Sequence, residues 1–166
     1  LGQGAWLWAK AGAGQWLLER AWERARLGEA NVAPWPWADT QPVGRLAAPA
    51  QRVDLIVLAG ASARTLAWGP GHLAGSARPG EPGHVILTAH RDTHFRFLRA
   101  LDIGDTVVLE SPGGARRHYR VRTLATRHVD ELALPRDTAL PTLTLVTCWP
   151  FDALVPGGPW RRVVTA

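Results

Sequence analysis

The sequence predicts a mainly β fold, a closed barrel of seven to eight strands with short helices and one helix at the N-terminus. Three observations predict it. Short runs rich in Val, Ile, Leu and Thr recur from residue 43 to the end of the 166-residue chain. Seventeen glycines and 13 prolines supply frequent turns, more than a helix bundle needs. Helical periodicity is sustained only before residue 28, and many short strands between turns suit a barrel.

Residues 5–27 read as that N-terminal helix. Leu18, Trp22 and Ala25 share one stripe, Glu23 can pair with Arg26, and Gly28 is the stop signal. Trp6, Trp8, Trp16 and Trp22 beside Lys10 and several arginines fit two readings. The indoles pack on the domain, or they face a membrane interface, where a half-wetted ring is stable. Residues 31–42 form a stiff linker around Pro34-Trp35-Pro36-Trp37. The chain is therefore expected to divide into residues 1–41, a juxtamembrane helix and Pro/Trp linker, and residues 42–166, the barrel.

Within the barrel, strands are expected at 43–46, 53–58, 84–89, 105–110, 117–127, 142–148 and 161–165. Residues 94–101 read as a short helix with Phe95, Leu98 and Leu101 facing inward. Residues 62–83 are a long Gly/Pro-rich connection with one helical turn near Ser62–Trp68. Residues 149–159 are a Pro/Gly loop between the last two strands.

Composition limits the function. A hydrophobic fraction of 46% is that of a globular chain. The net charge of +5 comes almost wholly from arginine, since Lys10 is the only lysine. The arginines are scattered and no nucleic-acid module is present, so no nucleic-acid partner is expected. The most apolar early stretch, residues 5–18, is short and broken by Lys10, Gly12, Gly14 and Gln15, so it does not span a bilayer. There is no methionine, so an upstream signal peptide or membrane anchor is expected.

The chemistry-bearing residues stand at strand ends. Cys148, the single cysteine, closes Leu143-Thr144-Leu145-Val146-Thr147-Cys148 and has no partner for an internal disulfide. A thiolate there is a nucleophile if a base or a cation activates it; otherwise the residue is a small buried hydrophobe. His90 follows His84-Val85-Ile86-Leu87-Thr88-Ala89 and can carry protons near neutral pH. Arg161 or Arg162 opens the last strand. Strand alternation lets only one of them face the cysteine, where a guanidinium can hold an oxyanion. Asp92 either accepts from the imidazole or from Arg91, or caps the 94–101 helix. His94 is four residues from His90, but a strand end does not place the two on one helix face, and no Cys/His set completes a metal site. No metal or cofactor is expected.

Leu145-Val146-Thr147-Cys148 with Arg161-Arg162-Val163-Val164 resembles the sortase signature Leu-x-Thr-Cys and Arg-x-Val-Val. Thr88-Ala89-His90-Arg91-Asp92-Thr93-His94-Phe95 is similar to the sortase histidine motif. The likeness covers roughly residues 42–166 and includes Gly69-Pro70-Gly71-His72 and Pro79-Gly80-Glu81-Pro82-Gly83. The Trp16–Trp22 run and Pro34-Trp35-Pro36-Trp37-Ala38-Asp39 resemble class GN, a group from Gram-negative, often marine, proteobacteria. Two departures stand out. Ala89 occupies a position usually held by Gly, tolerable unless the backbone there needs a positive φ. His84 replaces a common Asn and is expected to affect loop anchoring.

The resemblance implies a sortase-type barrel and a cysteine transpeptidase that cleaves a C-terminal LPxTG-like sorting signal through a Cys thioester. Cys148 would be the nucleophile, His90 the proton carrier and Arg161 the oxyanion and substrate donor. Ala89, Asp92, Thr147 and Trp149 would bind substrate or support the site, Thr147 through its backbone with its side chain turned away. The partner would be a secreted protein bearing the signal, the acceptor an unidentified amine. The enzyme would be anchored in the inner membrane with the barrel in the periplasm, with the 5–27 helix as a further membrane contact. The alternatives are a cysteine hydrolase without an amine acceptor and a non-catalytic secreted binding barrel.

Overall fold

The computed structural model describes residues 2–166. The helix α1 (Gly2–Arg26) is followed by the linker and then by β1 (Pro42–Ala48) and β2 (Val53–Ala59). The one-turn helix α2 (Ala63–Leu66), β3 (Gly71–His72) and β4 (His84–Thr88) come next. A 3-10 segment, Arg96–Ala100, precedes β5 (Thr106–Glu110), β6 (Arg116–Arg120) and β7 (Thr123–His128). A further 3-10 turn, Val129–Glu131, leads to β8 (Thr142–Cys148) and β9 (Trp160–Thr165).

The nine strands form one sheet in the order β6-β5-β1-β2-β3-β4-β8-β9-β7. The sheet curls around its core but leaves β6 and β7 as unpaired edges, so it is an open half-barrel. This corrects the expected closed barrel of seven to eight strands, and the cause is local. The stretch 117–127, expected as one strand, changes partners in its middle. The Val121 N–H donates to Asp105 O and the Arg122 N–H to Thr165 O, so adjacent residues belong to opposite edges. The extra strand β3 lies in the 62–83 connection. It is parallel to β2 and antiparallel to β4, and two residues are too few to show alternation in sequence.

The concave side is filled by one face of the strands. Val85, Leu87, Leu143, Leu145, Val164, Val107 and Leu109 pack with Phe95, Leu98 and Leu101. The 94–101 segment thus buries the three side chains expected to face inward. It is a 3-10 segment because the chain first turns tightly about His90, whose carbonyl accepts from the N–H groups of Thr93 and Phe95.

A second, smaller core attaches α1 to the back of the sheet. Leu18 and Trp22 meet Ile56 and Leu58, with Trp35 and Trp68 packed against them. Arg45 joins the layers, donating to Glu19 of α1 at 2.9 Å and to Asp54 of β2 at 2.7 Å. Gly28 ends the helix with φ 92°, a conformation that favours glycine. The tryptophans divide between core and surface. Trp22 is core, whereas Trp6 and Trp16 are 62% and 57% exposed beneath Lys10 and Arg20. The Trp8 side chain lies outside the described residues. Among the described residues no helix is long and apolar enough to cross a membrane.

Candidate active site

Strand parity builds the site. β8 runs parallel to β4 with Ile86 beside Thr144 and Thr88 beside Val146. β9 runs antiparallel to β8 with Thr165 opposite Thr144, Val163 opposite Val146 and Arg161 opposite Cys148. Side chains directly paired across strands share a face. Leu143, Leu145 and Val164 fill the core, so Thr144, Val146 and Cys148 face the other way. Arg161 is on the cysteine's face and Arg162 is not. This geometry separates the two arginines without reference to any motif.

Cys148 is half-buried at the end of β8 and unpaired. Arg161 is half-buried, and its Nη1 donates to Gly158 O at 2.6 Å and Trp160 O at 2.9 Å. Those bonds orient the guanidinium and leave Nε and Nη2 without a protein partner among the described residues. Arg162 instead lies over the Trp149 ring, 5.6 Å from its centre.

His90 stands two residues beyond Thr88, the last residue of β4, whose partner on β8 is Val146, itself two residues before Cys148. It is exposed. Neighbouring strands are about 4.8 Å apart, so continuing this register by two residues would bring His90 to the row of Cys148. Two contacts fix the row beyond the end of β4. The Ala89 N–H donates to Val146 O at 3.4 Å, and the buried Thr147 hydroxyl donates to Ala89 O at 2.7 Å. The Thr147 side chain therefore points away from the cysteine's face. Ala89 is buried in the main core, and the positive-φ non-glycine residues are Asn31 and Arg52, so its backbone has no need of glycine.

The remaining residues singled out from the sequence surround this row. Asp92 is exposed and makes no hydrogen bond among the described residues; Phe95, not Asp92, holds the cap position of the 3-10 segment. Trp149 is half-buried and meets Phe151 edge-to-face at 5.5 Å, and Phe151 packs on the main core. Burial, with the neighbouring His90 as a smaller cause, holds the His94 imidazole below its ordinary pKa. Among the described residues no group of three or more His, Cys, Asp or Glu side chains converges as metal ligands would.

Two features escaped the sequence reading. Arg91 is only 7% exposed, and its Nη2 donates to Val155 O at 2.7 Å, so the residue after His90 holds the 149–159 loop that follows Cys148. The second is a groove of about 340 Å³ on the cysteine's face of the sheet. Thr142, Thr144, Val163 and Thr165 form its floor and the 131–138 segment forms a wall. His84 anchors that wall, as expected of a loop-anchoring role: its Nδ1 contacts Pro135 O, and its Nε2 is 2.6 Å from the Thr144 hydroxyl. Larger cavities exist, including one of about 800 Å³ between α1 and Trp68; neither they nor the groove is lined by Cys148, His90 or Arg161, and the groove is set apart by lying on the cysteine's face and reaching Arg127, the β7 partner of Arg161.

The chain is similar to known proteins in sequence and in fold. A family model described as the sortase domain matches residues 46–166. Sortase D of Bacillus subtilis (strain 168) is 32% identical over 134 residues, which is 81% of this chain and 67% of that protein. Streptococcus agalactiae sortase C1, solved as a complex with MTSET, superposes with a TM-score of 0.65 at 28% identity, covering 75% of this chain and 65% of that one. Sortase A from Corynebacterium diphtheriae shares the fold with a TM-score of 0.67 at 21% identity, covering 89% of this chain and 82% of that one. With its cysteine and arginine paired across the last two strands, and the family match running through both, this chain belongs to the sortase family.

Proposed function

We propose that the protein is a cysteine transpeptidase that cleaves an LPxTG-like sorting signal at the C-terminus of a secreted protein and transfers the acyl part to an amine. One observation carries the reading: Cys148 and Arg161 are direct cross-strand partners on one face, and His90 follows by two residues the end of β4, the strand that pairs with β8 on its other side.

Cys148 Sγ attacks the carbonyl of a Thr–Gly-type bond, its proton passes to His90, and the carbonyl oxygen becomes an oxyanion. Arg161 donates hydrogen bonds to that oxygen and to the substrate backbone through the N–H groups its loop contacts leave open. Collapse breaks the C–N bond, and His90 gives a proton to the departing amine. The product is a thioester on Cys148. An incoming amine attacks it and gives its proton to His90, the C–S bond breaks as the new amide forms, and His90 returns the proton to sulfur to regenerate the thiol. Water in place of the amine gives hydrolysis. The groove beside Thr142 and Thr144 is positioned to receive the extended signal. Thr147 and Ala89 keep the two reacting strands in register, and Trp149 begins the loop that borders the site.

The finer assignment is class GN, supported by the Trp16–Trp22 and Pro34–Asp39 runs. The location we infer is the periplasmic face of the inner membrane. Residues 1–41 would serve as juxtamembrane support and residues 42–166 as the catalytic unit. Exposed Trp6 and Trp16 beneath Lys10 and Arg20 support an interfacial role for α1.

Mass spectrometry of peptide products tests the activity. An LPxTG-like peptide with hydroxylamine is expected to yield the hydroxamate of the fragment ending at Thr. Only the free acid, with or without hydroxylamine, would make the protein a hydrolase. No cleavage, with Cys148 labelled by a thiol probe at the same slow rate in wild type and His90→Ala, would make it a binding module.

A further inference from the structure

The row that begins at Cys148 continues beyond Arg161. On β7, the strand on the far side of β9, the direct partner of Arg161 is Arg127. Cys148, Arg161 and Arg127 thus lie side by side across three strands and share one face. Arg127 is exposed, lines the groove, and makes no hydrogen bond or ion pair among the described residues. Like charges directly opposite each other in a sheet are destabilising. Here no acid sits between them. Arg122 also lines the groove, and Glu131 is the only carboxylate that does so, with no bond to either arginine. The floor around these charges is threonine, alanine and valine, so the groove carries an excess of positive charge over a neutral surface.

We propose that Arg127 is a specificity-determining residue that binds an acidic side chain of the substrate close to the bond Cys148 attacks; the inference rests on the transpeptidase reading given above. Two strand spacings separate Cys148 from Arg127, roughly 10 Å. An extended peptide advances about 3.3 Å per residue, so the acidic residue lies within about three residues of the scissile bond. A guanidinium takes a carboxylate through two parallel hydrogen bonds, which an amide or an ammonium in the same place cannot match. Arg161 then remains free for the reacting carbonyl, and the charge that destabilises the empty row is neutralised when substrate binds.

The test is a positional scan of an LPxTG-like peptide with Asp, Asn or Lys at each of the positions near the scissile bond, read as kcat/KM. Wild type is expected to favour Asp over Lys at one position by about fivefold, the upper size of one exposed ion pair. Arg127→Glu is expected to reverse that preference and Arg127→Gln to abolish it. The preference is read as the ratio of Asp to Lys turnover within each variant, so a general change in activity cancels. Equal turnover of Asp and Lys peptides by wild type, or an Asp preference that survives in both variants, would overturn the proposal and leave the transpeptidase reading intact. If no peptide is cleaved, the transpeptidase reading falls instead. Fluorescence anisotropy with the Cys148→Ala protein then decides this proposal separately: binding that favours Asp peptides and is lost in Cys148→Ala/Arg127→Gln supports it, and charge-blind or absent binding overturns it.

Discussion

Replacing Thr147 by Val tests whether the site depends on the tie between its two central strands. The side chain is buried, and its hydroxyl donates to Ala89 O at 2.7 Å. Valine keeps the shape and removes the donor. Ala89 is itself buried, so its carbonyl loses a partner that water does not readily replace. A buried acceptor left unsatisfied costs about 1–3 kcal/mol. In a domain of this size each kcal/mol lowers Tm by about 2–4 °C, so a fall of several degrees is expected. Thr147→Ser is the control. It keeps the donor and loses one methyl group, worth about 0.8 kcal/mol. The functional consequence is larger than the stability one, because the residue after Ala89 is His90. A displacement of about 1 Å between reacting groups can cost a hundredfold in rate. Thermal unfolding and single-turnover acylation, measured on the same samples, should place Thr147→Val well below Thr147→Ser in both. Equal Tm and equal acylation in the two variants would refute the claim that this bond sets the register of the site.

Other expectations follow from particular contacts. Gly12 and Gly14 share α1, but a Cβ at Gly12 meets nothing within 4 Å while one at Gly14 falls 2.1 Å from Cζ3 of Trp68. Gly12→Ala should stabilise by up to about 1 kcal/mol and Gly14→Ala should destabilise by about 1–3 kcal/mol, as urea titration will read; the same sign for both would contradict the packing of α1. His94 is held below its ordinary pKa, so the unfolded chain binds its proton more readily than the folded one. Its contribution to stability is therefore complete above the unfolded value, near 6.5, and is lost as pH falls toward the lower folded value. His94→Asn should flatten this part of the stability–pH curve, and an unchanged slope would remove His94 as its source. Arg91→Ala should raise hydrogen exchange in residues 153–157 while leaving the amides of β4 and β8 protected. Unchanged exchange in the loop would show that Arg91 does not hold it.

The parts of the site that were legible in the sequence are those where local pattern and long-range pairing agree. β4 and β8 are β-branched runs bounded by turns; β8 ends at Cys148 itself, whereas β4 stops at Thr88, one residue before the expected end and two before His90. Alternation showed that Arg161 and Arg162 face opposite ways, but not which one faces the cysteine. The direct pairing of Arg161 with Cys148 settles that. The break at Val121–Arg122 was not legible, because Arg116 to Arg127 alternates without a glycine or proline and its change of partner is set by Asp105 and Thr165, distant in sequence. For the same reason the neighbourhood of Arg127 was invisible: it exists only because β7 joins the sheet beyond β9. The 94–101 segment carried the correct inward face, but its first turn is consumed in closing around the His90 carbonyl, which a periodicity argument does not register.

The most direct measurement is the intact mass of the protein quenched during reaction with an LPxTG-like peptide. The proposed mechanism requires a thioester adduct on Cys148 in wild type and Arg162→Ala, no adduct in Cys148→Ala, and about a hundredfold slower adduct formation in Arg161→Ala. Wild-type protein that forms no adduct, or Arg161→Ala that acylates as fast as Arg162→Ala, would contradict it.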